Sequence, residues 1–426
     1  MIKEEFVPII LGTDSNAYNM ARAIHEEYGI KSYVVGKGNL LPTDYSKILI
    51  RKIIDDLDED NFALRLIEFS EEMKKDNTKK ILICSNENYV ELVVNNKNKL
   101  DKEFILPFVN KELMDKLLDK EKFYKLCEEH KLDHPKTFVV KKGEELKLNF
   151  NFEYPVILKP SDSAKYFVSQ FEGKKKAYII ENLSDLKKTI NKIYSSDYYE
   201  SLIIQEYIPG DSMSMAVVNC YVNKEGSVKL MSLGKILLEE PVPTLIGNYS
   251  AIISDTNENL CYELKRFLEK IGYTGFANID LKYDYRDKKY KVFEINIRQG
   301  RSSYFTTGSG YNLAKYLIED HIYNKNQDFT IAKNDHIWFD VPKNLLYKYI
   351  QDKGMKKKIK KLIKDKNYSS TLFYKRDLNI NRLLRLHLFN FRKYSVYRKY
   401  YWKIFITIFI EGVRHGYFRF EKQGRS

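Results

Sequence analysis

The stretch of sequence that decides the fold is FANIDLKYDYRDKKYKVFEINIRQGR, residues 276–301. Apolar and polar residues alternate through it, and successive side chains of a strand point to opposite faces of a sheet. The alternation predicts two strands, 277–285 and 290–298, joined by a charged turn around Asp287. The result is an antiparallel hairpin with one apolar and one polar face.

The polar face of this predicted hairpin carries two carboxylates. Folding about Asp287 places Asp280 directly opposite Glu294, with Cβ atoms roughly 5 Å apart, where like charges destabilise a sheet. A divalent cation such as Mg²⁺ requires such a pair, because it takes carboxylate and amide oxygens and keeps waters for substrate phosphates. Asn296 would complete the set, and Arg298 would reach the same phosphates. The string E-x-N-x-R alone also suits an ordinary half-exposed strand; the opposed Asp280 favours the metal site.

Charge is concentrated at one end of the chain. Residues 351–426 carry 21 Lys and Arg against 5 Asp and Glu, whereas residues 1–350 carry 51 against 53. The body is therefore nearly neutral, and the net charge of +14 belongs to the tail. A chain of 426 residues is expected to form two to four compact units.

Cysteine usage and hydropathy predict a cytoplasmic protein. The four cysteines are far apart with no C-x-x-C spacing, which argues against zinc or a disulfide framework and fits a reducing compartment. The apolar run at 404–410 is far shorter than the ~20 residues that a membrane span requires.

The first 110 residues alternate strands with helices. Strands are predicted at 6–13, 32–35 and 81–84. A first helix is predicted from the helical spacing of Ala17, Met20, Ala21 and Ile24, and a second at 61–75, a pattern typical of a doubly wound sheet. Ligands bind at the carboxyl edge of such sheets. The turn GTDSNA lacks the glycines of G-x-G-x-x-G, which disfavours a dinucleotide site and leaves a structural or substrate-contacting domain.

Two lysines of the central region stand out by their positions. The segment YPVILKP, 154–160, predicts a buried strand that ends in Lys159, whose ammonium needs a counter-charge. An ATP phosphate would supply one; a lysine that extends to solvent is the alternative. Lys122 lies 13 residues before Pro135 in a long amphipathic helix predicted from about residue 110, and on its residues alone it fits a solvated helix face.

Two further segments carry candidate contacts. The segment LIIQEYIPGD, 202–211, predicts a buried strand followed by a Pro-Gly turn, which taken alone is routine. The segment GRSSYFTTGSGYN, 300–312, follows the hairpin directly. Its Arg301, Ser302 and Ser303 would offer donors to a carboxylate and its developing oxyanion.

Together these segments resemble the ATP-grasp superfamily, in which Asp and then Glu-x-Asn-x-Arg hold Mg²⁺ against a triphosphate. The resemblance covers roughly three quarters of the chain. The strings PIILGTDSNAY, LLEEPVPTLIGNYSAII and FEINIRQGRSSYFTTGSGYN are similar to the carboxylate–amine ligases that include the D-aspartate ligases of Gram-positive cell-wall synthesis.

The resemblance implies an α/β chain with an N-terminal Rossmann-like domain, a two-part ATP-grasp fold and a basic helical C-terminal extension. The expected divisions are 1–110 for the pre-ATP-grasp domain, 111–205 for the central subdomain, 206–325 for the C-terminal subdomain with the metal hairpin, and 326–426 for the basic, aromatic, mostly helical extension.

It also implies ATP and Mg²⁺, or Mn²⁺, as cofactors. The implied metal ligands are Asp280, Glu294 and Asn296, and the implied catalytic groups are Lys159, Arg298 and Arg301. The implied nucleotide contacts are Lys122, Lys159, Ser161, Ser163, Glu206, Tyr207, Ile208 and Asp211. The segment 161–167 stands where the family has a glycine-rich flap over the phosphates; it has no glycine, so serine hydroxyls and Lys165 would replace backbone N–H groups.

The implied reaction is amide formation through an acyl phosphate. A substrate carboxylate takes the γ-phosphoryl group of ATP, and an amine then displaces phosphate. In the ligases resembled most, the β-carboxylate of D-aspartate joins the lysine side-chain amine of a peptidoglycan precursor. The alternatives are a ligase that makes another small peptide or amide, and an ATP-grasp kinase that lacks an amine acceptor.

The basic tail predicts an amphipathic helix over 380–410, with Arg and Lys beside aromatic residues. We expect it first to pack on the body through Leu383, Leu384, Leu386, Leu388 and Phe389. Contact with a membrane at its inner face, or with a UDP- or lipid-linked precursor, ranks second. Nucleic acid is a distant third, because no nucleic-acid fold signature accompanies the tail.

Overall fold

The computed structural model describes residues 5–73, 78–145, 147–242, 245 and 247–414, with the backbone alone for residues 163, 164 and 402–414. The described strands form three sheets. One is a four-stranded parallel sheet, one a four-stranded antiparallel sheet, and the third an eight-stranded, mostly antiparallel sheet that contains the predicted hairpin.

The first sheet is parallel throughout. Its strands are β1 (Phe6–Leu11), β2 (Ser32–Gly36), β3 (Leu49–Ile53) and β4 (Lys79–Cys84), in the order β3-β2-β1-β4. The sequence did not predict β3, an edge strand with exposed Ile50 and Arg51 and without a clear apolar face. The accompanying helices are α1 (Ser15–Tyr28), α2 (Phe62–Glu72), α3 (Glu87–Asn95) and α4 (Lys97–Leu100).

The central region begins with two helices, where the sequence predicted one. Helix α5 (Lys111–Leu118) ends at Asp119, whose side chain accepts a hydrogen bond from the Lys122 amide and thereby caps α6 (Lys120–Glu129). The second sheet comprises β5 (Thr137–Val140), β6 (Val156–Pro160), β7 (Tyr178–Ile180) and β8 (Leu202–Glu206), in the order β5-β8-β6-β7. Its helices are α7 (Ser163–Val168) and α8 (Leu183–Tyr194), so the segment expected to be a flap loop is largely helical.

The third sheet holds the hairpin. Its strands are β9 (Met215–Val222), β10 (Val228–Glu239), β11 (Tyr249–Asp255), β12 (Gly275–Asp284), β13 (Lys289–Asn296), β14 (Thr330–Ile331), β15 (Ile337–Phe339) and β16 (Tyr368–Ser369). They run β13-β12-β9-β10-β11-β15-β16, with β14 beside β10. Three helices accompany it: α9 (Glu258–Lys270), α10 (Tyr304–Gly308) and α11 (Leu313–His321).

The C-terminal extension contributes α12 (Lys343–Tyr349), α13 (Lys353–Lys364) and α14 (Ile380–Arg414). Helix α14 packs on the body as expected, but through fewer of the expected residues. Leu386 is buried and Phe389 partly buried against the first domain, whereas Leu383, Leu384 and Leu388 are exposed. Across the part of the chain that the structure describes, no helix is both long enough and apolar enough to span a bilayer.

A buried carboxylate joins this extension to the first domain. Asp377, just before α14, accepts hydrogen bonds from the Tyr18 hydroxyl (2.7 Å), the Ser46 hydroxyl (2.8 Å) and the Ile48 amide (3.3 Å). It also forms an ion pair of 3.1 Å with Arg382, and both side chains are at most 1% exposed. We call Asp377 and Arg382 the C-terminal clasp.

Candidate active site

The hairpin has the predicted register. Asp280 on β12 pairs directly with Glu294 on β13, and Asn278 pairs with Asn296. Below this point the register shifts by one residue, because Phe293 forms a β-bulge between the pairs Asp280–Glu294 and Leu281–Val292. The bulge was not predicted, but the opposition of the two carboxylates is confirmed.

Burial and mutual repulsion perturb this carboxylate pair. Burial and then the charge of Glu294 raise the pKa of Asp280 to about 7. The Tyr249 hydroxyl donates to Oδ1 of Asp280 over 2.8 Å and Nδ2 of Asn296 donates to Oδ2 over 3.1 Å, and both bonds lower that pKa. Two half-buried carboxylates at paired positions thus share one region of strong negative potential, which a divalent cation would neutralise.

Three lysines surround Glu294. Burial acts to raise the pKa of Glu294, yet that pKa lies below its ordinary value. Positive charge outweighs burial there, from Lys120, Lys176 and Lys159 in decreasing order of effect. The region beside the carboxylate pair is therefore strongly cationic, as a site for phosphates must be.

Lys159 makes its hydrogen bonds to neutral groups. Its Nζ lies 3.0 Å from the Tyr124 hydroxyl and 3.0 Å from Oε1 of Gln205, and burial lowers its pKa to about 8. The same Tyr124 hydroxyl donates to the carbonyl of the bulged Phe293 over 2.8 Å. A chain of hydrogen bonds therefore connects the lysine at the end of β6 to the hairpin.

A cavity of about 700 Å³ opens over the carboxylate pair, and Lys120 and Lys176 line it, whereas Lys159 is not among its lining residues. The first sheet contributes its carboxyl edge, with Asp14, Asn16 and Ser85, as predicted for loops of a doubly wound sheet. Gly12 lets β1 and β4 approach there, because its φ is +119° and an added Cβ would lie 1.9 Å from Oγ of Ser85. Nδ2 of Asn16 donates to the carbonyls of Ser85 (2.6 Å) and Gln299 (2.8 Å), which fixes the first domain against the end of the hairpin.

Both predicted arginines line this cavity. Nη2 of Arg298 lies 3.3 Å from Oε1 of Glu87 and donates to Oδ1 of Asn296 over 3.2 Å. Nε of Arg298 has no hydrogen-bond partner in the described chain. Nη2 of Arg301 lies 3.2 Å from Oε1 of Glu240. Both guanidinium groups therefore offer cationic donors to the cavity, with Arg298 paired to the first domain and Arg301 to a residue that follows β10.

Other predicted nucleotide contacts lie outside this cavity. Four of them follow β8 or end it: Glu206, Tyr207, Ile208 and Asp211. The carboxylate of Glu206 accepts from the Lys136 amide (2.9 Å) and from Arg286 (3.2 Å). Asp211 caps a short 3₁₀ turn through the Met213 amide. Ser161, directly after β6, is buried, and the side chain of Ser163 lies outside the described residues.

Sequence reasoning missed three residues of the site. Lys122 was predicted and lines the cavity, but Lys120 has the larger effect on Glu294. The string DKEKF, residues 119–123, contains both lysines. An aspartate that caps a helix at position 119 would have indicated that Lys120 lies in the first helical turn. Lys176 belongs to a run of three lysines, and no pattern singles it out. Tyr249 gave no signal, because its contact with Asp280 crosses the sheet.

Comparison with known proteins decides the family. Residues 117–302 match the family model of the ATP-grasp domain. The D-aspartate ligase of Enterococcus faecium is 42% identical over 410 residues, which cover 92% of this chain and 97% of that protein. The chain belongs to the ATP-grasp ligases. As such it is an ATP-dependent enzyme that forms carbon–nitrogen bonds, with ATP and Mg²⁺ as the cofactors of its family.

More distant ATP-grasp ligases share the fold. A D-alanine–D-alanine ligase of Wolbachia pipientis is 25% identical over 50% of this chain and 66% of its own length. Among solved structures, N5-carboxyaminoimidazole ribonucleotide synthetase in its ADP complex aligns with a TM-score of 0.58 and 14% identity, over 85% of this chain and 87% of that one. The L-amino acid ligase of Bacillus licheniformis aligns with a TM-score of 0.54 and 14% identity, over 75% of each chain.

The residues of this ATP-grasp ligase fit both cofactors. The opposed carboxylates suit a hard divalent cation, which would neutralise charge on the phosphates. No three His, Cys, Asp or Glu side chains gather as ligands in the described ranges, so a cation would depend on Asp280, Glu294, the Asn296 amide and oxygens from substrate or water. The three lysines around Glu294 fit a triphosphate, and about 700 Å³ is enough to hold a nucleotide.

Proposed function

We propose that the enzyme joins the β-carboxylate of D-aspartate to the lysine side-chain amine of a peptidoglycan precursor. The observation that carries this proposal is the 42% identity to a D-aspartate ligase over 92% of the chain. The site supports it chemically. Metal ligands and lysines for a triphosphate lie beside two arginines, which would hold a substrate that has two carboxylates.

The roles of the residues follow from their positions. Asp280, Glu294 and Asn296 would hold Mg²⁺ against the phosphates, with Lys122 and Lys159 as further phosphate contacts, joined by Lys120 and Lys176. The γ-phosphoryl group passes to the β-carboxylate and ADP leaves; the amine nitrogen then attacks the acyl carbon and inorganic phosphate leaves. Arg301 holds the acyl oxygens, and Arg298 stabilises charge on the transferring group.

The remaining predicted contacts keep their proposed roles. Glu206, Tyr207 and Ile208 would line the adenine and Asp211 the ribose, with Ser161 and Ser163 at the phosphates. In this proposal these positions bind the nucleoside part of ATP, outside the cavity over the hairpin. Residues 1–110 serve as a Rossmann-like domain, 111–205 and 206–325 as the two halves of the ATP-grasp fold, and 326–426 as the extension.

The acceptor in this proposal is a precursor linked to UDP or to a lipid pyrophosphate. The enzyme would work in the cytoplasm and would meet the lipid-linked form at the inner face of the membrane. The basic C-terminal extension supports this choice, because both carriers are anionic.

The test measures phosphate release from ATP with D-aspartate, L-aspartate, D-glutamate and D-alanine, each with and without a UDP-linked precursor that contains lysine. We expect release and an amide product, identified by mass, with D-aspartate and precursor together. Glu294→Gln is the control for contaminating ATPases. Amide formation with a different amino acid would overturn the choice of substrate, and a stable phosphorylated product without an amide would indicate a kinase.

A further inference from the structure

Helix α14 has two different faces. The face toward the body presents Arg382, Leu386, Lys393 and Tyr397, all buried and spaced four, seven and four residues apart. Lys393 donates to the Asp340 carbonyl, and the Tyr397 hydroxyl donates to the Glu239 carbonyl over 3.1 Å. The helix is therefore fixed in one orientation, and its opposite face is turned away from the protein.

That opposite face carries large apolar side chains in a single line. They are Ile380 (78% exposed), Leu384 (59%), Leu388 (62%) and Phe391 (75%). Their spacing of four, four and three residues places them one above the other on a helix. We call these four residues the apolar stripe. Single exposed apolar residues are ordinary on a protein surface, but an aligned row of four marks a contact site.

Basic residues border the stripe. Arg385, Arg392 and Lys399 are exposed, seven residues apart, and follow one edge of the stripe along the helix. Helix α13 lies next to α14, because Ile359 and Leu362 pack in one buried cluster with Tyr397. The exposed lysines of α13 are Lys353, Lys357, Lys358, Lys360, Lys361 and Lys364.

We propose that the apolar stripe and its basic border bind flat on an anionic lipid bilayer. An interfacial helix places a row of apolar side chains at the boundary of headgroups and acyl chains, with Arg and Lys beside lipid phosphates. Charge complementarity favours lipid over a second copy of this chain, because two such basic faces would repel each other. The surface is separate from the ligase site, so the proposal stands whichever amino acid is activated.

The experiment measures partition of the full-length protein onto vesicles by co-sedimentation. Vesicles rich in phosphatidylglycerol are compared with pure phosphatidylcholine, at low and high salt. We expect binding to the anionic vesicles at low salt that weakens as salt screens the charges. Leu388→Ser with Phe391→Ser should reduce partition about tenfold or more, because both side chains lose burial in the bilayer.

The charge contribution is tested separately. Arg385→Gln with Arg392→Gln should weaken partition about thirtyfold at low salt, from about 1 kcal/mol per residue. Matched controls are Leu64→Ser, an exposed leucine of α2, and Lys187→Gln with Lys188→Gln on α8, none of which should change partition. All of the substituted side chains are exposed, and thermal melts verify the folding of each variant.

Three outcomes would overturn the proposal. One is no binding to anionic vesicles at low salt. Another is binding that the stripe variants leave unchanged. The third is self-association of the wild-type protein that Leu388→Ser with Phe391→Ser abolishes in the absence of lipid, which would make the stripe an interface between two copies of this chain.

Discussion

The phenol of Tyr249 on β11 donates a hydrogen bond to Oδ1 of Asp280 on β12 over 2.8 Å. Two strands, β9 and β10, lie between these strands in the sheet, so the side chain reaches across the sheet to the carboxylate. The bond favours the ionised carboxylate, the form that binds a cation, and it opposes the burial that raises the pKa of Asp280.

Tyr249→Phe should therefore weaken Mg²⁺ binding near neutral pH. Without the phenol the pKa of Asp280 rises above about 7, so a proton competes with the metal over a wider range of pH. We expect the Mg²⁺ concentration for half-maximal phosphate release to rise several-fold at about pH 7 and to approach the wild-type value at about pH 9. An equal loss at both pH values would mean that the phenol acts in another way.

Asp280→Asn and Glu294→Gln should each abolish Mg²⁺-dependent turnover while stabilising the metal-free fold. Folding raises the pKa of Asp280 from 3.8 to about 7, so the folded state holds this proton more tightly than the unfolded state. The stability that comes with the protonated carboxyl is therefore fully present below pH 3.8 and is lost as pH rises through 7. The melting temperature of Asp280→Asn in a chelator should thus exceed that of the wild type by more at about pH 8 than at about pH 5. Normal MgATP binding and turnover in both variants would contradict the metal assignment.

If Lys159 contacts phosphate as proposed, Lys159→Ala should raise the KM for ATP more than the KM for the amino acid. Removing one preorganised donor from a site where charge develops typically costs about 100-fold or more in rate. Since the pKa of Lys159 is about 8, the KM of the wild type for ATP should rise above that pH, and the variant should lack this rise. Tyr124→Phe is the matched control, because it removes the hydroxyl beside Nζ and leaves the charge. An effect confined to the amino acid would place Lys159 outside the nucleotide site.

Asp377→Asn should destabilise the protein by about 3–5 kcal/mol, since it leaves Arg382 as a buried charge without its partner. Glu258→Gln removes one member of an exposed pair with Lys333, and we expect a change of about 0–1 kcal/mol. Denaturant unfolding followed by intrinsic fluorescence measures both. Equal effects of the two substitutions would show that the C-terminal clasp contributes little to stability.

Local patterns predicted the hairpin, because its register depends on residues within one short stretch. Alternation placed Asp280 opposite Glu294, and the structure agrees. The bulge at Phe293 could not be predicted, since it depends on Tyr124, whose hydroxyl binds the Phe293 carbonyl from a distant helix. The prediction of a single helix from residue 110 was wrong, because the side chain of Asp119 caps a second helix there.

Contacts between distant parts of the chain account for most of what sequence reasoning missed. Tyr18 and Asp377 are 359 residues apart, and neither carries a local signal of the other. The tail was expected to bury Leu384 and Leu388, but buried contacts at Arg382 and Tyr397 orient the helix so that these leucines face outward. A charged residue on an amphipathic helix ordinarily faces solvent, and here a buried carboxylate reverses that preference.

The C-terminal clasp also sets an order of events during synthesis. The Lys47 amide donates a hydrogen bond to the carboxylate of Asp377, which lies 330 residues further along the chain. A ribosome adds about 5–20 residues per second, so Lys47 is synthesised about 15–65 s before Asp377. Until then the first domain has donors that only water can satisfy. A nascent chain that stalls before Asp377 therefore presents an incomplete first domain to chaperones and proteases, although every residue of its own sheet has been made.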